Sequence, residues 1–513
     1  VCELEFVMPS LSKLLFFTAV SAALLFGSAI QAQPLPPEIE TVLAKSRIPR
    51  DAISLYVIDA NPATTQPLLS HRATSAMNPA SVMKLVTSVA ALDLLGPAYT
   101  WQTQVFIDPA GKSGQIKDGI LDGNLIIKGG GDPKLVVERL WLLLQRVRSM
   151  GIHTIGGDLI LDRSAFDAVD KNAAAFDGEP MKPYNASPDA LLVNYKSVVM
   201  TFTPNPSLGV ASVQYDPPLH GVAMPTFVPL THVGCGDYRG ALKADFSDSK
   251  RIRFGGSYSS QCGERVWPVA YVDPPTFAGR AVLGLWESMA GKLIGMVRTV
   301  EARQLGTAQA SAGSKLLFAV PSLTLAEVMR DMNKYSNNVL AQHVFLSLSL
   351  NARLGSAVPN APATFEASQA ALAAWWKSRY GAGTVLGGAA GVEAPTIENG
   401  SGLSRIERVS ALALARMLQD AYGAPFMPEL VASLPMNGVD GTLRKSKATS
   451  GVAHLKTGSL NNVVSRAGYV HAQKPGREGK RYVLVAMVNS SNPEALAAAR
   501  PVFDALTDWA AGQ

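Results

Sequence analysis

The chain has 513 residues, 47% of them apolar and 17% charged, with a net charge of +6. That length exceeds one ordinary domain, and the composition supplies ample core without disordered bulk. Its basic residues are scattered, with no dense Lys/Arg tract interleaved with aromatics, which argues against a nucleic-acid partner while suiting an anionic polymer.

The N-terminus carries Lys13, an apolar run over 14–26, and the small-residue stretch Gly27-Ser28-Ala29-Ile30-Gln31-Ala32. This pattern predicts an export signal over residues 1–32, starting at Met8 with 1–7 upstream of it. The alternative, a single membrane anchor, needs a longer apolar run, and no later segment offers a stable membrane span.

After Pro34–Pro37 a short helix is expected over 39–45, then a buried strand over 53–58, rich in β-branched and aromatic residues. Next comes Asn78-Pro79-Ala80-Ser81-Val82-Met83-Lys84, opening an apolar run through Val86, Val89, Leu92 and Leu95. Pro79 suits a helix start. Ser81 and Lys84, three apart, then share a helical face. A hydroxyl beside a desolvated amine can be activated as a nucleophile. The spacing alone is unspecific, because Ser10/Lys13 and Ser247/Lys250 repeat it and a helix-start serine is commonly a cap.

From about Tyr99 the texture becomes short alternating strands, at 102–107, 123–128 and 154–161, cut by Gly, Asp and Pro. Gly129-Gly130-Gly131-Asp132-Pro133 lacks the spacing of a phosphate cradle and reads as a turn. Helical periodicity surfaces at 277–289 and returns over 323–350. One or two mostly β modules are therefore expected between residues 99 and 305. Cys2 precedes the signal, whereas Cys235 and Cys262 lie in a polar stretch, and an exported compartment favours a disulfide between them. With no CxxC, no HExxH and no ligand spacing among seven histidines, neither a metal site nor a cofactor is expected.

Helices are predicted over 365–380, 410–422 and 493–509, and strands over 453–456, 467–471 and 482–488. Pairing the late strands with the early one at 53–58 gives one α/β domain interrupted by the insertion. Two polar clusters stand out here. Tyr335-Ser336-Asn337-Asn338 breaks an apolar helical stretch, although Ser-x-Asn recurs at Ser349/Asn351, Ser459/Asn461 and Ser490/Asn492. Lys456-Thr457-Gly458-Ser459 holds the only Lys-Thr-Gly of the chain, and an exposed edge strand would also explain it.

Ser-x-x-Lys, Ser-x-Asn and Lys-Thr-Gly in this order form the set associated with β-lactamases and penicillin-binding proteins. The chain further resembles the D-alanyl-D-alanine carboxypeptidase/endopeptidase family, low-molecular-mass penicillin-binding proteins with inserted domains. The resemblance rests on Gly130–Leu135, Gly157–Asp162, Tyr184-Asn185-Ala186, Asn399–Arg405, Gly438–Leu443 and Lys456–Leu460. Ser336 lies 252 positions after Lys84 (336 − 84), room for the family's inserts that compact β-lactamases do not have. One departure is Asn399, where relatives often carry Asp, so no charge role is carried over to that position. Tyr335/Asn337 also fit a Tyr-x-Asn pattern, but the flanking residues favour Ser336/Asn338.

The resemblance implies a penicillin-binding-protein/β-lactamase-like transpeptidase domain, an antiparallel sheet flanked by helices, built from 33–98 and 306–513 around inserts at 99–305. It implies a periplasmic serine carboxypeptidase and endopeptidase acting on peptidoglycan peptide stems and acylated by β-lactam antibiotics. Ser81 is then the nucleophile, Lys84 its base and Lys456 a second cation expected to depress the Lys84 amine. Backbone N–H groups of Ser81 and Ser459 hold the oxyanion. Ser336 passes a proton, Asn338 holds the substrate amide and Thr457 grips the terminal carboxylate. Arg405 and Asp177 are further candidates for binding the stem. The competing readings are a serine β-lactamase and a non-catalytic peptidoglycan-binding or sensor protein.

Overall fold

The structure, a computed structural model, describes residues 35–167, 172–302, 313–350, 361–382 and 392–513, so the expected signal segment and Cys2 lie outside the described residues. A five-stranded sheet runs in the order Leu69–His71, Ile53–Asp59, Arg481–Asn489, Val463–His471, Ala453–Leu460. All neighbours are antiparallel. The register from Ile53 opposite Val488 to Asp59 opposite Tyr482 joins the two ends of the chain.

Both faces of this sheet are covered. Val483, Val485 and Met487 enter one core with residues of the helices Lys84–Leu94 and Ala411–Tyr422. Leu484, Ala486 and Val488 enter another with the helices Pro37–Ser46 and Pro493–Ala511. A strand buried on both sides must be apolar at every position, which is why 482–488 reads as an unbroken run. Among the described residues no helix is long and apolar enough to cross a membrane.

The middle of the chain forms two further five-stranded sheets. One orders Val297–Val300, Leu159–Asp162, Asn124–Lys128, Gln102–Asp108 and Lys315–Pro321; the other orders Tyr258–Ser259, Phe227–Thr231, Val210–Asp216, Ser197–Asn205 and Arg265–Ala270. Three details depart from the expectations. Lys315–Pro321, placed after the insertion in the sequence reading, pairs with Gln102–Asp108, so the middle sheet draws on residues up to Pro321. The strand expected over 154–161 splits at Gly156-Gly157 into two pieces in different sheets, where a Cβ on Gly157 would meet the Gly123 carbonyl at 2.6 Å. The helix Val137–Ser149, which buries Leu140, Leu143, Leu144 and Val147, was not anticipated. Cys235 and Cys262 are joined by a disulfide in this region.

The helical stretch expected over 323–350 is two helices, Leu325–Lys334 and Asn338–Leu350. Thr324 opens the first with a reciprocal capping box to Glu327. Between them Ser336 adopts a left-handed φ of 58°, and its hydroxyl accepts from Lys456 Nζ on the strand Ala453–Leu460.

Candidate active site

The segment before Ser81 is fixed by Asn78, whose polar groups are fully engaged. Its N–H donates to Asn489 Oδ1 at 2.8 Å and its carbonyl accepts from Asn489 Nδ2 at 2.9 Å. Its side chain donates to the Ser404 carbonyl at 3.0 Å and accepts from the Ala80 N–H at 2.8 Å. Ala80 is held at a φ of 46°, a conformation costing a non-glycine residue about 1–2 kcal/mol, and such strain persists only where surroundings over-determine it. Ser81 itself sits in a 3-10 turn, Ala80–Met83, and the α-helix begins only at Lys84. The expected helix start at Pro79 is thus one tighter turn ahead of the α-helix, and Ser81 and Lys84 still come together.

Lys84 is fully buried. Its Nζ donates to Ser81 Oγ at 3.0 Å, to Asn338 Oδ1 at 2.8 Å and to the Ser401 carbonyl. Burial pushes this amine down to about 7, with the Glu407 carboxylate pulling it back up. A neutral amine keeps two N–H groups and one lone pair. With Asn338 Oδ1 and the Ser401 carbonyl taking the two protons, the lone pair is left for the Ser81 hydroxyl.

Lys456 is also fully buried; its Nζ donates to Ser336 Oγ at 2.8 Å and to the Thr457 carbonyl at 2.6 Å. Burial first, and the Lys84 charge second, push it well below the usual lysine range. This reverses the expected direction of influence. The Lys84 charge bears on Lys456, whereas desolvation is the largest cause of the Lys84 shift.

The strand Ala453–Leu460 is the edge of the central sheet and runs against the Ser81 turn. Gly458 permits that approach, since a Cβ there would lie 2.5 Å from the Pro79 carbonyl, 3.0 Å from Ser81 N and 2.2 Å from Ser465 Oγ. Ser465, on the neighbouring strand, donates to the same Pro79 carbonyl at 2.5 Å. Ser459 follows in an exposed position, and Thr457 Oγ1 donates to Thr442 Oγ1 at 2.7 Å. Asn338 is buried, with Oδ1 on Lys84 and Nδ2 donating to the Tyr184 carbonyl at 3.3 Å. Tyr335 is 65% exposed and Asn337 Oδ1 caps its own helix by accepting from Leu340 N, so the pair facing the two lysines is Ser336/Asn338.

The loop 399–407 closes the far side. Asn399 accepts from Ser401 N and Ser401 Oγ and donates to the Leu403 carbonyl at 3.1 Å, a set that needs both halves of an amide. Its role is to shape the loop. Gly402, at a φ of 79°, lies so near the turn that a Cβ would sit 2.0 Å from the Ala80 carbonyl. Arg405 stacks 4.8 Å from the centroid of the Phe176 ring and donates to the Phe176 carbonyl at 3.1 Å. Asp177 is adjacent, but its carboxylate is engaged internally, accepting from Tyr184 Oη and Asn185 Nδ2, each at 2.8 Å. A cavity of about 330 Å³ opens here, lined by Phe176, Asn185, Gln342, Asn399 and Arg405 among others.

The structure therefore gathers Ser81, Lys84, Ser336, Asn338, Lys456, Thr457 and Ser459 at one cleft, with Arg405 and Asp177 on its flank. Asn78, Ser401, Glu407, Thr442 and Ser465 were not singled out from sequence. The stretches around Ser401 and Thr442 carried a family signal, but nothing in it separated these residues from their neighbours.

The D-Ala-D-Ala carboxypeptidase 3 (S13) family matches residues 35–511. The D-alanyl-D-alanine carboxypeptidase of Actinomadura sp. (strain R39) is 26% identical over 516 residues, covering 96% of this chain and 88% of that protein. The D-alanyl-D-alanine carboxypeptidase DacB of Haemophilus influenzae is 23% identical over 436 residues, covering 83% of each. The crystal structure of penicillin binding protein 4 from Haemophilus influenzae matches with a TM-score of 0.66 at 22% identity, over 91% of this chain and 99% of the other, a likeness of fold.

Proposed function

Because the chain belongs to the D-Ala-D-Ala carboxypeptidase 3 (S13) family of serine-type DD-carboxypeptidases, we propose that it acts in the periplasm on peptidoglycan stems, through an acyl-enzyme on Ser81. The same acylation would cut a D-alanyl–diaminopimelate cross-link when the leaving amine belongs to a second stem, giving endopeptidase activity. The observation carrying this reading is the Lys84 amine, fully buried and within hydrogen-bond reach of Ser81 Oγ (3.0 Å), Asn338 Oδ1 (2.8 Å) and the Ser401 carbonyl.

Ser81 attacks the carbonyl of the penultimate D-alanine as Lys84 accepts its proton. Backbone N–H groups of Ser81 and Ser459 receive the developing oxyanion, each donor contributing a few kcal/mol in related chemistry. Thr457, with Lys456 behind it, takes the terminal carboxylate. That anion raises the Lys456 amine back toward its charged form, and the recharged Lys456 then discourages a second cation at Lys84. Substrate binding thus strengthens the influence of Lys456 on Lys84. Ser336 passes a proton to the leaving amine and Asn338 orients the substrate amide. Water then releases the acyl group. Arg405, with Asp177 beside it, faces the rest of the stem.

The segment from about Tyr99 to Pro321 is read as one or two inserted domains between the halves of the catalytic domain. A β-lactam presents the same amide to Ser81, and acylation without rapid release would make it an inhibitor. Incubation with labelled penicillin and mass mapping of the adduct tests the assignment, alongside D-alanine release from a pentapeptide stem. A label outside the Ser81 peptide, or one that survives Ser81→Ala, refutes it; rapid turnover of a chromogenic cephalosporin would instead identify a β-lactamase.

A further inference from the structure

The loop that receives the Lys84 amine is tied from behind by a carboxylate with no role in the steps above. Glu407 is fully buried, and its Oε1 accepts the N–H of Glu398 at 3.0 Å and of Asn399 at 3.3 Å. Asn399 Oδ1 in turn accepts from Ser401 N, and the Ser401 carbonyl accepts from Lys84. Three contacts therefore lead from Glu407 to the base. Glu407 Oε2 is buried and has no hydrogen-bond partner among the described residues. It is also the only acid between positions 399 and 407, where Asn399 is neutral.

We propose that Glu407 is a positioning residue for acylation: it holds the 399–407 loop against Lys84 and supplies the buried counter-charge that governs how readily the Lys84 amine gives up its proton. The inference rests on the reading of Ser81 as nucleophile and Lys84 as its base. A buried carboxylate with one empty oxygen is expensive unless a cation shares its interior, and breaking such a pair leaves an uncompensated charge. Burial raises Glu407 to about 7, opposed by the two backbone N–H groups and then by Lys84, while the Glu398 charge adds to the rise. The charged groups around the pair are Lys456 on the edge strand, Glu398 at the loop entrance and Arg408, which donates to the Glu407 carbonyl. When Ser81 surrenders its proton, Lys84 becomes an ammonium, and the Glu407 anion stabilises the charge formed. The same anion keeps more of the resting amine protonated near and above neutrality, where Glu407 itself is ionised.

The test is the second-order rate of Ser81 acylation by a fluorescent penicillin, followed across pH in the full chain and in Glu407→Gln. Without the anion the Lys84 amine deprotonates at lower pH, so the acid limb shifts down by about 1 unit. The plateau rate falls several-fold, because the weaker base drives proton transfer less well. Glu407→Asp, which keeps the charge, leaves the limb where the unaltered chain has it, even if shorter reach lowers the rate. Rates are expressed per folded molecule at each pH, so a poorly yielding variant still reports. Should Glu407→Gln not fold, Glu407→Asp carries the test, and a limb displaced downward despite the retained charge overturns the proposal. A rate reduced equally at all pH values in Glu407→Gln, with its limb unmoved, also overturns it and leaves a purely structural loop brace. Absence of label on Ser81 in the unaltered protein would refute the parent reading instead.

Discussion

Lys456 Nζ donates to Ser336 Oγ at 2.8 Å across 120 residues of sequence. A hydroxyl that accepts from an amine keeps its own proton free to give away. Ser336 can therefore protonate a leaving amine and be resupplied by Lys456. Ser336→Ala should slow Ser81 acylation by about 10²–10⁴-fold, the usual loss of a general acid. Groups that act as a unit fail non-additively. Ser336→Ala combined with Lys456→Met should thus be little worse than the more damaging single change, as read by stopped-flow acylation. Losses that simply multiplied would show that the two side chains act separately.

The Lys84 amine, pushed down to about 7 by burial, sets the sign of the pH dependence. Below that value it is protonated and cannot accept from Ser81, so acylation should climb with pH through about 7 and then level. Stability follows the same shift. Unfolded, the lysine titrates near its ordinary ~10.4, so the unfolded chain binds more protons between about 7 and 10. The fold is then most favoured above the unfolded value and loses stability as pH falls toward 7. Melting temperature should rise with pH in that window, and Lys84→Met should flatten the slope.

Much of this was legible in the sequence because the site depends on side chains in short, rigid words. Ser81-x-x-Lys84 spans a single turn, and Lys456-Thr457-Gly458 needs its glycine for the backbone to reach Ser81. The unbroken apolar run at 482–488 likewise declared a strand covered on both faces. What stayed hidden acts through the main chain or through a returning loop. The Ser401 carbonyl leaves no mark in a sequence, and Glu407 sits in Arg405-Ile406-Glu407-Arg408, a charged string that reads as solvent-facing although Glu407 is fully buried. The helix Val137–Ser149 did carry a helical signal, Leu140, Leu143, Leu144 and Val147 at spacings of three, one and three. Strand-like segments on either side masked it.

Thr457 Oγ1 donates to Thr442 Oγ1 at 2.7 Å, which leaves the Thr442 proton available to the cleft. A terminal carboxylate arriving at Thr457 would then meet two hydroxyls. Thr442→Val keeps the shape and removes one of them, at a cost of about 1 kcal/mol. The expected result is a several-fold rise in KM for a D-Ala-D-Ala peptide with kcat nearly unchanged. An unaltered KM would leave Thr442 outside substrate binding.

The Cys235–Cys262 disulfide closes a separation of 27 residues, and Cys262 packs in a core that does not include the Ser81 turn. Cys235→Ser with Cys262→Ser should destabilise that region by roughly 2–5 kcal/mol. Protease sensitivity should appear within the middle segment, while the acylation rate per folded molecule stays the same. Loss of acylation in protein that resists proteolysis would mean that the bridge supports the site directly.

Gly458 offers the sharpest steric test. Its missing Cβ would fall 2.5 Å from the Pro79 carbonyl and 3.0 Å from Ser81 N, both backbone atoms that cannot rotate away. Gly458→Ala must therefore move the edge strand off the Ser81 turn, and the Ser459 N–H moves with it. The strand keeps its ladder to Val463–His471 on the other side, so the sheet should survive. A displacement of even about 1 Å at a reacting centre can cost on the order of 10²-fold. Acylation by penicillin should fall by at least that factor while the far-ultraviolet circular dichroism is retained. A variant that acylates at the original rate would mean that the close passage of strand and turn is not what aligns Ser81 with its oxyanion donors.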